Sequence, residues 1–198
     1  MSQEFPRDLG CSIVLVGLMG VGKSCIGRNL ASRLGLPFVD ADAEIEIAAH
    51  CSISEIFDRH GEAYFRDGER RVISRLLDAP PQVLATGGGA YLSAATRAAI
   101  RARGVAVWLR GDLDLLVKRT ARRDNRPLLK QGDPREILKR LIDERYPIYA
   151  KADITVDSVD GPPEVTLERV ITALTAFFDR HPERLVKAAA PAERRAVS

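Results

Sequence analysis

The chain has 198 residues, 45% of them hydrophobic and 29% charged, with a formal net charge of +3. At this length one domain around one core is expected, and the apolar fraction excludes wholesale disorder. Residues 1–179 hold 25 Lys/Arg against 25 Asp/Glu, so the excess belongs to residues 180–198 and no nucleic-acid-binding face is expected.

No apolar stretch reaches the ~20 residues of a spanning helix, and no cationic start leads into an apolar run at the N-terminus. Cys11, Cys25 and Cys51 are odd in number and lack metal-ligand spacing. These features predict a cytoplasmic protein with reduced thiols and no membrane partner.

Short apolar runs alternate with longer amphipathic segments, the pattern of a parallel sheet with helices on both faces. Residues 1–10 read as an N-terminal extension. Cys11–Val16 is the first strand, and Lys23–Leu34 a helix closed by Gly35 and Pro37. Pro37–Asp40 is a second strand, leading into Asp42 and a helical Ala/Glu/Ile segment. Residues 52–78 are helical, in two pieces parted near Gly61. Gln82–Thr86 is a third strand, and a helix from about Ser93 to Arg103 precedes the strand Val105–Leu109. Asp112–Ala121 is helical, and the polar stretch Arg122–Gly132 breaks the pattern. Pro134–Ala150 resumes a helix, Asp153–Asp157 is a fifth strand and Pro163–Asp179 a last helix. Residues 180–198, Ala-rich and charged, read as a flexible tail.

Gly17-Leu-Met-Gly-Val-Gly22-Lys23-Ser24 matches G-x4-G-K-[ST], after a strand and before a helix as the motif requires. Gly17, Gly20 and Gly22 let the backbone turn its amides toward phosphate oxygens, and the helix N-terminus adds positive charge. Lys23 reaches β- and γ-phosphates, and the Ser24 hydroxyl completes a Mg²⁺ shell. The motif alone leaves a kinase, a GTPase and a motor-type ATPase open. No Asn-Lys-x-Asp guanine reader occurs, and the third strand ends in Thr86 and three glycines rather than in Asp. A small P-loop kinase, with a small-molecule acceptor opposite the loop, is the better fit.

Asp40 and Asp42 sit at the carboxyl end of the second strand, where open α/β sheets place ligands. Alternate residues of an extended segment share one side, so both carboxylates are expected to face one site, one toward metal-bound water and one toward the acceptor alcohol. The competing reading is a helix cap. Arg66 and Glu69, three apart, lie on one helical face, either as a surface pair or as a held arginine gripping an anion. Phe57 and Phe65 read as core. Gly87-Gly88-Gly89 forms a concavity whose amides a ligand can approach. Arg119, Arg122, Arg123, Arg126 and Lys130 make a basic patch at a break between helices, the position of a lid over a triphosphate or of a solvated loop.

In their order and spacing, Gly17–Ser24, Asp40-Ala-Asp42, Gly61–Glu69, Ala85-Thr-Gly-Gly-Gly-Ala90, Arg126-Pro-Leu-Leu129 and Arg145-Tyr-Pro-Ile-Tyr149 resemble the shikimate kinase family over about residues 11–179. The resemblance implies a three-layer P-loop kinase fold, with a five-stranded parallel sheet flanked by helices and a mobile lid at about 119–132. It implies Mg²⁺-dependent transfer of the γ-phosphate of ATP to the 3-hydroxyl of shikimate, in chorismate biosynthesis, by a monomer. Lys23, Asp42 and Arg126 are then catalytic. ATP meets Gly20, Val21, Gly22, Lys23, Ser24, Cys25, Arg119, which lies over adenine, and Arg126. Shikimate meets Asp42, Arg66, Gly87, Gly88, Gly89 and Arg145, and the metal is held by Ser24 and, through water, by Asp40. The segment Asp157–Pro163 lacks the basic residue often present on the family's adenine side. A kinase of gluconate or of a nucleoside monophosphate would share the loop and lid without the combination of Arg66/Glu69, the glycine triplet and Arg145.

Overall fold

The computed structural model describes residues 9–121 and 132–185. The apolar runs become strands β1 (Ser12–Val16), β2 (Phe38–Asp40), β3 (Val83–Ala85), β4 (Gly104–Arg110) and β5 (Ile154–Asp157). They form one sheet in the order β2-β3-β1-β4-β5, with every neighbouring pair parallel. Central β1 is covered on both faces: Ile13, Val14, Leu15 and Val16 are wholly buried, which is why its sequence is continuously apolar. Edge strand β5 alternates instead, burying Ile154 and Val156 while Thr155 and Asp157 face out.

The helices are α1 (Lys23–Leu34), α2 (Ala41–Ala49), α3 (Ile53–Leu77), α4 (Ala94–Arg103), α5 (Leu113–Thr120), α6 (Pro134–Tyr149) and α7 (Pro163–Arg180), with a 3-10 turn at Ala90–Leu92. The β1–α1–β2 crossover runs toward one sheet edge and β3–α4–β4 toward the other. Right-handed connections therefore set α1 and α4 on opposite faces. Accordingly α1 packs with α7, and α4 with α3 and β4. The direction of winding reverses at β1, so the crevice beyond its carboxyl end is where a ligand fits. The break expected near Gly61 is present: inside α3 that residue takes φ 78°, ψ 176°, outside the helical region. Phe65, Ile45 and Ile56 form a small second core beneath α2 and α3, with Phe57 packed against it.

The strand ends differ from expectation by one residue or so, since pairing stops where the loops turn away. The chain ends differ more. Leu9, inside the expected extension, is 5% exposed and bridges Leu185, while the Gly10 amide donates to Arg184 O at 3.2 Å. Arg184 donates in turn to Arg101 O at 2.9 Å. Helix α7 runs to Arg180 and is followed by a 3-10 turn at Pro182–Arg184. Leu9 belongs to the main hydrophobic core and Leu185 packs against that core. Residues 1–8, 122–131 and 186–198 lie outside the described residues, and with them most of the expected lid, including Arg126. Among the described residues no helix is long and apolar enough to cross a membrane.

Candidate active site

The loop after β1 is shaped by glycine where nothing else fits. Gly20 takes φ 83°, and a Cβ there would come within 2.9 Å of Thr120 Cγ2. Gly22, at φ 105°, caps α1 without any side-chain hydrogen bond, so the first amides of α1 are left to an anion. Lys23 Nζ donates to Gly17 O at 2.8 Å and Leu18 O at 3.0 Å, which holds the ammonium over the loop. Val21 is buried, and its carbonyl accepts from Arg119 Nη1 at 3.1 Å and from Ser158 Oγ at 3.0 Å. Arg119 also donates to Ser158 Oγ (3.0 Å) and Val159 O (2.6 Å). It therefore ties α5, the loop and the turn after β5 into one wall. Cys25 is exposed in the first turn of α1.

Asp40 and Asp42 meet, but not through strand alternation. Asp40 ends β2 and caps α2, its Oδ1 accepting from the Asp42 amide at 3.2 Å; Asp42 already lies in the helix. The cap is thus Asp40, and the helical turn rather than the pleat brings the carboxylates to one site. Asp40 Oδ2 accepts from Ser24 Oγ at 2.9 Å, joining this pair to the phosphate loop. Burial, then the charge of Asp40, pushes the Asp42 carboxyl above its ordinary range, against the pull of Lys23 and Arg66.

Arg66 and Glu69 are not a surface pair. Arg66 Nη1 donates to Glu69 Oε2 at 2.8 Å, and Glu69 is 3% exposed. Arg66 Nε donates to the exposed Glu62 at 3.2 Å. Burial raises the Glu69 carboxyl while Arg66 opposes that shift, and its second oxygen, Oε1, is buried without a hydrogen-bond partner. The glycine triplet fills the remaining space. A Cβ on Gly87 would lie 2.7 Å from Asp42 Oδ1 and 3.0 Å from Glu69 Oε1, and one on Gly89 would collide with the Arg66 guanidinium. Arg145, on α6, donates to Gly88 O at 3.2 Å. A Cβ on Gly88 would sit 3.5 Å from Arg145 Nη1 and 3.6 Å from Gly17 O, so the triplet abuts the phosphate loop.

Lys23, Ser24, Asp40, Asp42, Arg66, the glycine triplet, Arg119 and Arg145 thus gather at the carboxyl edge of the sheet, whereas Cys25 is exposed on α1. Sequence reasoning missed Ser158, which stands just past the end of β5 where ligand-facing residues collect, and Tyr149, whose hydroxyl donates to Gly88 O. It also left the burial of Glu69 open. The arrangement offers two arginines and backbone amides for an anionic acceptor, a carboxylate of raised pKa for its hydroxyl, and a phosphate cradle alongside.

A family model described as Shikimate kinase matches residues 19–175. A shikimate kinase of Paramagnetospirillum magneticum is 64% identical over 171 residues, covering 86% of this chain and 88% of the relative. One of Caulobacter vibrioides is 59% identical over 163 residues, or 82% of each. Among solved structures, a shikimate kinase from Acinetobacter baumannii in complex with shikimate superposes with a TM-score of 0.80 at 37% identity, covering 84% of this chain and 93% of that one. A gluconokinase from Sinorhizobium meliloti, at 20% identity and a TM-score of 0.62, shares the fold alone.

Proposed function

The chain belongs to the shikimate kinase family, and on that premise we propose that it transfers the γ-phosphoryl group of ATP to the 3-hydroxyl of shikimate, giving shikimate 3-phosphate and ADP. The observation that carries this reading is the contact of the glycine triplet with both Arg145 and the phosphate loop. It sets an anion-gripping pocket against a triphosphate cradle.

Shikimate is a carboxylate bearing vicinal hydroxyls. Arg66 and Arg145 grip the carboxylate, with the glycine-triplet amides beside them. Asp42 receives the acceptor hydroxyl; its raised pKa makes it a better proton acceptor than an ordinary aspartate, and it either takes the proton as the bond to phosphorus forms or orients the alcohol. As the 3-oxygen bonds to the γ-phosphorus, the bond to the β-bridging oxygen breaks and ADP carries that electron pair away. Lys23 supplies positive charge at the β- and γ-phosphates, and the family resemblance gives Arg126, outside the described residues, the same role. Arg119 and Ser158 wall the adenine side. Ser24 Oγ and Asp40 Oδ2 are hard oxygen donors 2.9 Å apart, a set that suits Mg²⁺ held directly by Ser24 and through water by Asp40. The bound ion neutralises phosphate charge. The working unit in this proposal is a cytoplasmic monomer.

A coupled ADP-release assay with shikimate, gluconate and AMP as acceptors tests the proposal. Turnover is expected with shikimate alone. Turnover confined to gluconate or AMP would replace it with the corresponding kinase.

A further inference from the structure

Two groups converge on one carbonyl oxygen, that of Gly88: Arg145 Nη1 at 3.2 Å and the Tyr149 hydroxyl. Tyr149 ends α6, is wholly buried, and has its ring boxed by Trp108, Tyr91 and Tyr146 with centroids 6.0, 6.5 and 6.3 Å away. A buried hydroxyl is costly unless it is hydrogen-bonded, and a phenylalanine would fill the same box. The hydroxyl therefore has its use at Gly88.

That use follows from the planarity of the peptide. The Gly88 carbonyl and the Gly89 amide belong to one plane, so fixing the carbonyl from α6 fixes the direction of the amide as well. Gly89 packs directly on the Arg66 guanidinium. A single hydroxyl thus bears on three groups of the proposed carboxylate site: the Gly88–Gly89 peptide, Arg66 beside it, and Arg145, which shares the same carbonyl. The Arg145 charge is near enough to oppose the upward push of burial on the Tyr149 phenol. Helix α6 has a separate anchor, because the Tyr146 hydroxyl donates to Gly111 O and its ring meets Trp108 edge-on at 4.9 Å. Loss of the Tyr149 hydroxyl alone leaves α6 attached.

We infer that Tyr149 is a positioning residue for the acceptor: its hydroxyl holds the Gly88–Gly89 peptide and the Arg145 guanidinium in the orientation that receives the carboxylate. This rests on the reading of Arg66, Arg145 and the triplet as the carboxylate site. Tyr149→Phe is to be compared with the unaltered enzyme by steady-state kinetics in both substrates, calorimetric titration of shikimate and thermal melting, with Arg145→Ala in parallel. For Tyr149→Phe, shikimate KM and Kd should rise about tenfold, as expected for one lost hydrogen bond to a binding group. The ATP KM should stay within about twofold, and Tm within about 4 °C. Unchanged shikimate binding overturns the inference, and so does a loss shared equally by ATP and accompanied by a large fall in Tm. If Arg145→Ala itself leaves shikimate binding intact, the carboxylate-site reading fails first. If Arg145→Ala weakens shikimate and Tyr149→Phe does not, the positioning role alone is lost.

Discussion

The two halves of the crevice are built on opposite plans. The half proposed for the nucleotide is one short segment, Gly17–Ser24, which offers backbone amides and an uncapped helix end, with Arg119 and Ser158 bonded to its Val21 carbonyl. The acceptor half draws single side chains from α2, α3, the triplet and α6, and it buries charge to do so. A backbone cradle keeps its shape so long as the glycines remain, and it suits any triphosphate. A side-chain pocket selects a particular acceptor, but each residue in it depends on another: Asp42 on Asp40, Arg66 on Glu69, Arg145 on Gly88.

Substitutions that hit one half and spare the other test that division. The largest loss is expected for Lys23→Ala, which removes charge at the transferred phosphate. Turnover should fall by about 10³-fold or more while circular dichroism keeps the native spectrum; retained turnover would remove Lys23 from the chemistry. Next comes Arg66→Ala, which should raise shikimate KM about 100-fold and leave ATP KM nearly unchanged. It also strands Glu69 as a buried carboxylate without its partner, at a cost of about 1–3 kcal/mol. Without Arg66 the Glu69 carboxyl moves further up, so the variant's deficit is smallest at acid pH, where Glu69 is protonated, and grows as pH rises. Melting curves at several pH values read that sign, and a deficit that does not change with pH would mean Glu69 is not the stranded group.

Smaller and more pointed is a pair of glycine changes. Gly89→Ala meets the Arg66 guanidinium and should cost about tenfold in shikimate KM alone. Gly20→Ala strains a positive φ and meets Thr120, and it should cost a similar factor in ATP alone. Mixed effects from either would show that the halves are mechanically one. The smallest effect concerns pH. Protonated Asp42 cannot accept the hydroxyl proton, so kcat/KM should fall as pH drops through its raised pKa. The acidic limb should therefore inflect above the ~3.9 of an ordinary aspartate. An inflection at the ordinary value would return Asp42 to a purely orienting role.

The same contrast explains what could be read from the residues in order. The phosphate loop is legible because its chemistry is contiguous, and the strands because a sheet covered on both faces demands unbroken apolar runs. Arg145 entered only by family resemblance: nothing in Arg145-Tyr-Pro-Ile-Tyr149 says that α6 reaches Gly88. Glu69 looks like any helical i,i+3 partner until α3 and the triplet close over it. Strand alternation does not bring Asp40 and Asp42 together, since the backbone turns into α2 directly after Asp40 and Asp42 already lies in the helix. The pairing of Leu9 with Leu185 joins residues 176 positions apart, and no local periodicity reports a contact of that kind.

That pairing has a use of its own. Leu9 leads into β1 from its amino end, whereas the crevice lies beyond the carboxyl end, so about 16 Å of strand separates the junction from the chemistry. Residues 9 and 185 are thus held together at the back of the sheet. A tether attached at residue 9 or residue 185 would leave the mouth of the crevice facing away from the support, and a short peptide joining these two residues would allow the chain to be opened elsewhere.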